Sequence, residues 1–405
     1  MTSSSTRTIL PWIAAASAVV LTTALMLAQA PASFSPLDMR VPVPPRPLVG
    51  GGQTHLAYEV HIKNLSPRPA TIAVVEVRDG SGSRALLRLE GDGLEAALRK
   101  FGAPPDDPNP NVLGGGQSSV LFVWLSAGSG AVPRLLTHRV ELSLPKADGS
   151  GTDAIAMEGL EVAVATEAPR MVGPPLEGEH WLAANGPDNN IDHRRTLLSL
   201  TGEARLAQRF AIDWVQLYDD GRTFRGDPLR NDSYRSFGAN VLAVADGVVV
   251  GTLDGIPENT PDPVARAVPM TPRTLIGNYV LLDIGDGAWA VYAHLQLGSV
   301  RVRQGDRVRR GEVLGRVGNT GNSTEAHLHF HIADRSSPID SEGIPYGFDA
   351  FEVEAEPAEV TRALRPAGQT LEVDSASLAE WFAREPQPRR NEVPLLNALV
   401  AFPSC

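Results

Sequence analysis

The sequence predicts a mainly β chain: an N-terminal β-sandwich, a second β-rich domain and a short C-terminal helix. Three observations carry that prediction. Apolar and polar residues alternate in short runs more often than they follow helical spacing. Clusters of Gly, Pro, Asn and Asp punctuate those runs. Helical patterning is confined to residues 94–98 and to a stretch around Leu378, Trp381 and Phe382. A length of 405 residues allows two domains plus tails. With 42% hydrophobic and 20% charged residues, the chain can bury an ordinary globular core. The formal net charge of -11 argues against nonspecific nucleic-acid binding, which needs a basic face.

The elements follow in order. Arg7 supplies a positive n-region, and residues 9–28 are almost entirely apolar. Two small-residue cleavage patterns follow, Ala28-Gln29-Ala30 and Ala30-Pro31-Ala32. Residues 1–32 are therefore expected to be a signal peptide cut after Ala32, or an uncleaved membrane anchor. Either way the rest is exported, to the periplasm or outside of a bacterial envelope. The one cysteine, Cys405, is the last residue, so neither an internal disulfide nor a lipoprotein attachment point is expected. Cys405 itself reads as an unimportant tail residue.

Residues 33–168 read as the sandwich. Strands are expected at 55–62, 70–77, 118–125 and 138–144, with turn signals between them. His55, His61 and His138 lie on these strands without a visible partner set, so they are expected to be strand-surface or core residues. Residues 169–179 are rich in Pro and Gly and read as a linker. The second domain is expected to span 180–366. It holds strand patterns at 241–250, 278–284, 288–294, 300–302, 313–317 and 327–332, with an Asp-Gly hairpin at Gly285-Asp286-Gly287. Long loops at 218–240 and 255–276 suit a binding cleft. Residues 367–405 are expected as a tail with one helix, capped by Ser377 with Glu380 and ended by Pro386.

Chemistry concentrates at Ala326-His327-Leu328-His329-Phe330-His331. Strand residues two apart share a face, so three imidazoles would line one side while Leu328 and Phe330 enter the core. Nine histidines in the whole chain make three on one strand a concentration. Neutral imidazole is the commonest metal ligand and the usual general base near pH 7. Three further pieces precede this strand. Arg209-Phe210-Ala211-Ile212-Asp213 carries one acid in a strand-like run, with Arg209, Ala211 and Asp213 expected on one face. Residues 238–247 end in Asp246-Gly247. Val291-Tyr292-Ala293-His294-Leu295 leads to the Gly305-to-Gly315 segment and then to Gly318-Asn319-Thr320-Gly321-Asn322-Ser323.

These motifs, in this order over residues 192–351, resemble the lysostaphin/LytM-like zinc metallopeptidases, the cell-wall endopeptidases of bacterial peptidoglycan. The resemblance implies a Zn2+ cofactor and a peptidoglycan or peptide substrate. It implies Asp213 and His329 as metal ligands and His294 and His327 as catalytic residues, activating a water and stabilising the tetrahedral intermediate. Zinc acidifies its water and polarises the scissile carbonyl, and a nearby imidazole can move the proton. His331 would sit one step beyond the ligand, at the rim of the cleft or behind it.

The pattern departs from the family at its first ligand. Arg209 stands where the motif has His, and Ala211 where it has Gly. A guanidinium has no lone pair for zinc. Two readings stay open. In one, His193 folds back to supply the ligand, and Arg209 lines the cleft to meet a substrate carboxylate. In the other, His193 is a surface loop residue and Arg209 pairs with Asp213 where zinc would sit. The chain would then be a catalytically degenerate binding module regulating a separate wall hydrolase. A third class, a structural protein whose sandwich holds an envelope partner, is compatible with the sandwich's lack of visible chemistry. Membrane contact is expected only through an uncleaved N-terminal segment.

Overall fold

Two antiparallel sheets of five strands each form the N-terminal half of the computed structural model. The structure describes Met1 and residues 35–403, except 83, 105, 129–130 and 368–369. The expected signal and Cys405 lie outside the described residues. In the first sheet Gln53–Asn64 pairs with Ser118–Ser126, and Leu37–Arg40, Pro47–Gly50 and Leu98–Lys100 flank them. In the second, Ala70–Asp79 and Leu135–Pro145 are central. Leu135–Pro145 alternates buried and half-buried residues along almost its whole length, the mark of a strand with one wet face. Leu56, Val60, Leu121 and Val123 of one sheet and Val75, Val77, Val140 and Leu142 of the other share one apolar core. The short helix is Gly91–Ala97, a little earlier than its apolar pattern suggests.

The second half is built on one sheet of ten strands. Its central order is Asn278–Asp283, Trp289–Leu295, Leu328–Ala333, Ile212–Gln216, Gly178–Ala184 and Leu399–Phe402. Leu328, Phe330, Ile212, Trp214 and Tyr292 enter its main core. The described residues from Pro36 onward belong to one compact unit.

Three expectations are corrected. Residues 169–179 are not a free linker: Arg170–Val172 pairs in parallel with Tyr346–Phe348, and Val172 and Leu176 are buried in the main core. The C-terminal stretch is not a tail. Leu399–Phe402 lies inside the large sheet, paired with both Gly178–Ala184 and Phe351–Ala355. Its four apolar residues have no polar alternation because both faces are covered. The helix Ser375–Phe382 exists, but its cap is Asp374, whose carboxylate accepts from Ser377 N at 3.0 Å. An aspartate three residues earlier satisfies the free N–H groups better than Ser377 could from inside the first turn. Among the described residues, no helix is long and apolar enough to cross a membrane.

Candidate active site

Three neighbouring strands bring the chemistry together. Antiparallel register sets Asp213 opposite His329, and His329 opposite Ala293, the residue before His294. Directly opposed residues hold their side chains close on one face. His327 sits just before its strand, bridged to Gly318. From the other side, Gly178–Ala184 ends against Asp213 and turns at Asn185. The chain then returns through the short helix Asp192–Arg195, which carries His193.

The result is a cluster around one carboxylate. Asp213 Oδ1 lies 2.9 Å from His329 Nδ1 and 3.5 Å from His327 Nε2. Its Oδ2 lies 3.4 Å from His193 Nε2. Donor atoms of His193, Asp213 and His329 all lie within 4.8 Å of one another. Ligands about 2 Å from a tetrahedral ion stand roughly 3.3 Å apart, which the Asp213 pairs at 2.9 and 3.4 Å approach, so this donor set could hold a metal such as zinc. The His294 and His327 rings lie 4.8 Å apart beside it.

Backbone carbonyls set the tautomers. A carbonyl oxygen only accepts, so the ring nitrogen facing it must donate. His193 Nδ1 donates to Asn185 O at 3.0 Å. His294 Nδ1 donates to Thr320 O at 2.7 Å, and His327 Nδ1 to Glu325 O at 2.9 Å. When neutral, each of these rings carries its lone pair on Nε2, the atom a metal or a proton needs. Ser323 Oγ, 3.2 Å from His327 Nδ1, further fixes that ring.

The Gly318-to-Ser323 motif therefore works as a holder. Thr320 and Ser323 orient His294 and His327, and Asn322 lines the cleft. Gly277 and Gly321 let its two loops meet: a Cβ on Gly321 would stand 2.3 Å from Gly277 N. His294 adopts φ 61°, a left-handed conformation that a histidine seldom takes and that marks strain held at functional sites.

Electrostatics separate the imidazoles. Burial disfavours the Asp213 carboxylate, yet the charges of His193 and His327 and the bonds from His327 and His329 hold it well below the ordinary range. Burial, then repulsion from His327 and His329, pushes His294 well down. Burial lowers His329, only partly offset by Asp213. For His327 burial is the largest single influence, but Asp213 outweighs it and the ring moves up. The cleft over these groups encloses about 410 Å³ and is lined by Gln208, Arg266, Leu275 and Thr324 besides the histidines. A larger cavity of about 730 Å³, lined by Arg46, Arg170, Asp286 and Asp334 among others, contains no imidazole.

Arg209 lies away from the cleft, and His331 lies behind it, one of the two places expected. Arg209 is 4% exposed and bonds neither Asp213 nor the cleft. Its guanidinium binds Glu59, Glu342 and the Gly343 carbonyl. Residues 207–210 form a turn, with Ala211 N bonded to Gln208 O, so strand alternation does not extend from Asp213 back to Arg209. His331 is 1% exposed and stands behind His329, its Nδ1 3.0 Å from His329 Nε2. Asn185 was not singled out in the sequence. It holds His193 through its carbonyl and Asp213 Oδ2 through Nδ2 at 3.0 Å. Only an Asn-Gly turn signal after a strand points to it.

Residues 232–341 match the model of peptidase family M23. The match includes His294, His327 and His329 and begins after Asp213. The chain is 35% identical over 122 residues to the cell division protein DipM of Caulobacter vibrioides, covering 28% of this chain and 19% of that one. It is 30% identical over 149 residues to endolysin 2638A of Staphylococcus phage 2638A, covering 32% and 29%. It is 37% identical over 65 residues to the peptidoglycan DD-endopeptidase ShyA of Vibrio cholerae, covering 16% and 15%. The chain thus spans less than a third of each relative's length. Motif order, family match and these relatives together support a LytM-type peptidase domain around the matched residues 232–341.

Proposed function

We propose that this domain is a zinc metalloendopeptidase that hydrolyses peptide bonds of bacterial peptidoglycan. The observation that carries the reading is the convergence of His193, Asp213 and His329 beside His294 and His327. His193 offers Nε2 and replaces the imidazole missing at position 209. His331 supports the set from behind. His329 Nδ1 donates to Asp213 Oδ1 at 2.9 Å, and His331 Nδ1, 3.0 Å from His329 Nε2, would receive the proton on that nitrogen if a metal took Nδ1.

Bound zinc would supply the charge that acidifies a water and polarises the scissile carbonyl. The side chains then divide the proton work. His294, held neutral, takes a proton through Nε2. It then passes that proton to the leaving amine, while His327, its Nδ1 fixed by Glu325 O, steadies the developing negative charge. Arg209 bonds Glu59 and Glu342 instead of Asp213, so the carboxylate stays available to a metal. Peptidoglycan is favoured as substrate by the relative named as a peptidoglycan DD-endopeptidase. The same reading places the chain in the bacterial envelope, exported through its apolar segment.

The test is digestion of purified sacculi by the full chain. New amino termini should be released, and neither His294→Ala nor chelator-treated protein should release them. Equal release by parent and His294→Ala would sink the proposal.

A further inference from the structure

We infer that the N-terminal two-sheet half is a working part of the metal site, with Glu59 acting through Arg194 as the positioning residue for His193. This rests on the zinc reading above.

His193 lies on a helix of four residues, Asp192–Arg195. A helix that short has no stability of its own, so its place is set by tertiary contacts. Those contacts run to the N-terminal sheets. Arg194 is fully buried. Its guanidinium binds the Glu59 carboxylate, Tyr58 O at 3.0 Å and Val123 O at 3.4 Å. Arg195 bonds Ala96 O at 2.7 Å, and Asn189 bonds Phe122 O at 3.0 Å. Both arginines stand 5.2 Å from the centre of the Phe122 ring. One residue of the helix thus faces Asp213, and the next two are held by the other half of the molecule.

The same carboxylate explains Arg209. Glu59 is 3% exposed and also receives Arg209 Nε at 3.2 Å and Nη2 at 2.7 Å. Arg209 Nη2 binds Glu342 at 2.7 Å as well. Two guanidinium groups and two carboxylates therefore balance in one buried cluster. Removing one member inside the fold would leave another charge buried and unpaired, which is costly, so the four groups hold their places together. Arg209, at the position of the motif's first ligand, joins the strut that places its replacement. The lost ligand and the recruited one share Glu59.

The test uses the full chain and two variants, Glu59→Gln and Arg195→Ala. Zinc affinity is measured by chelator competition, and the visible spectrum of bound Co2+ reports the ligand set. Circular dichroism and melting establish that each variant is folded. Glu59→Gln should weaken zinc at least tenfold and move the Co2+ spectrum to that of His193→Ala. Arg195→Ala, at the half-buried edge of the clamp, should weaken zinc severalfold with the same spectral direction. A folded Glu59→Gln protein with parental affinity and spectrum overturns the inference. Should Glu59→Gln unfold, parental values in Arg195→Ala overturn it instead. A parent chain that takes up neither ion defeats the zinc reading and this inference with it.

Discussion

Both halves of the molecule bury histidines, and they use them differently. In the N-terminal half, His138 bonds Tyr58 OH through Nε2 and Leu160 O through Nδ1, each at 2.8 Å. His55 bonds Gly50 O and Ser126 Oγ. Both rings have spent both nitrogens on neutral partners. In the second half His193, His294 and His327 each spend Nδ1 on a carbonyl and keep Nε2 for the cleft. His193 and His327 aim that nitrogen at a shared carboxylate. Burial of an imidazole is therefore a poor sign of function. An uncommitted second nitrogen facing a common centre is the better one.

The largest expected effect comes from removing that centre. Asp213→Asn or His329→Ala should abolish zinc uptake and lower peptidase activity about a thousandfold or more. Zinc analysis and sacculus digestion check it, and near-parental values in either variant would break the contrast. His294→Ala should keep zinc but lose roughly a hundredfold or more in activity, because proton transfer is lost and not the metal. Measuring both quantities on one preparation separates the two cases.

A subtler effect is expected behind the ligand. His331→Phe should weaken zinc binding by about 10–100-fold, as loss of a ligand's supporting partner typically does. Unchanged affinity would reduce His331 to core packing. The smallest effect belongs to a histidine of the N-terminal half. His138→Gln should cost about 1–3 kcal/mol in stability and leave zinc affinity alone. It also has a pH signature. Burial holds the His138 ring below its ordinary 6.5. A depressed histidine stabilises the fold above its unfolded value, and that contribution is lost as pH falls through the folded value. The parent should thus lose stability on acidification below about 6.5, with a shallower loss in His138→Gln. Melts of the metal-free proteins at neutral and mildly acidic pH compare the slopes.

The sequence made some of this visible and hid the rest for physical reasons. Alternation at 327–331 exposed the histidine row, because a strand's two-residue period is local. Asp213 stood out as the one acid in its strand. The same period misplaced Arg209, since the turn at 207–210 ends the strand before that residue is reached. No local pattern could link Arg209 to Glu59, which lies 150 positions away. Asn185 was hidden because its work is done mainly by its backbone carbonyl. The Leu399–Phe402 strand looked like a tail, since four apolar residues carry no period when both faces are buried.

The central claim is that His193 supplies the donor that Arg209 cannot. Zinc content of the purified protein and of His193→Ala tests it most directly. About one zinc per chain in the parent, lost in the variant, is the expected result. Zinc retained by His193→Ala at parental affinity, or absent from a parent given the metal, would contradict it.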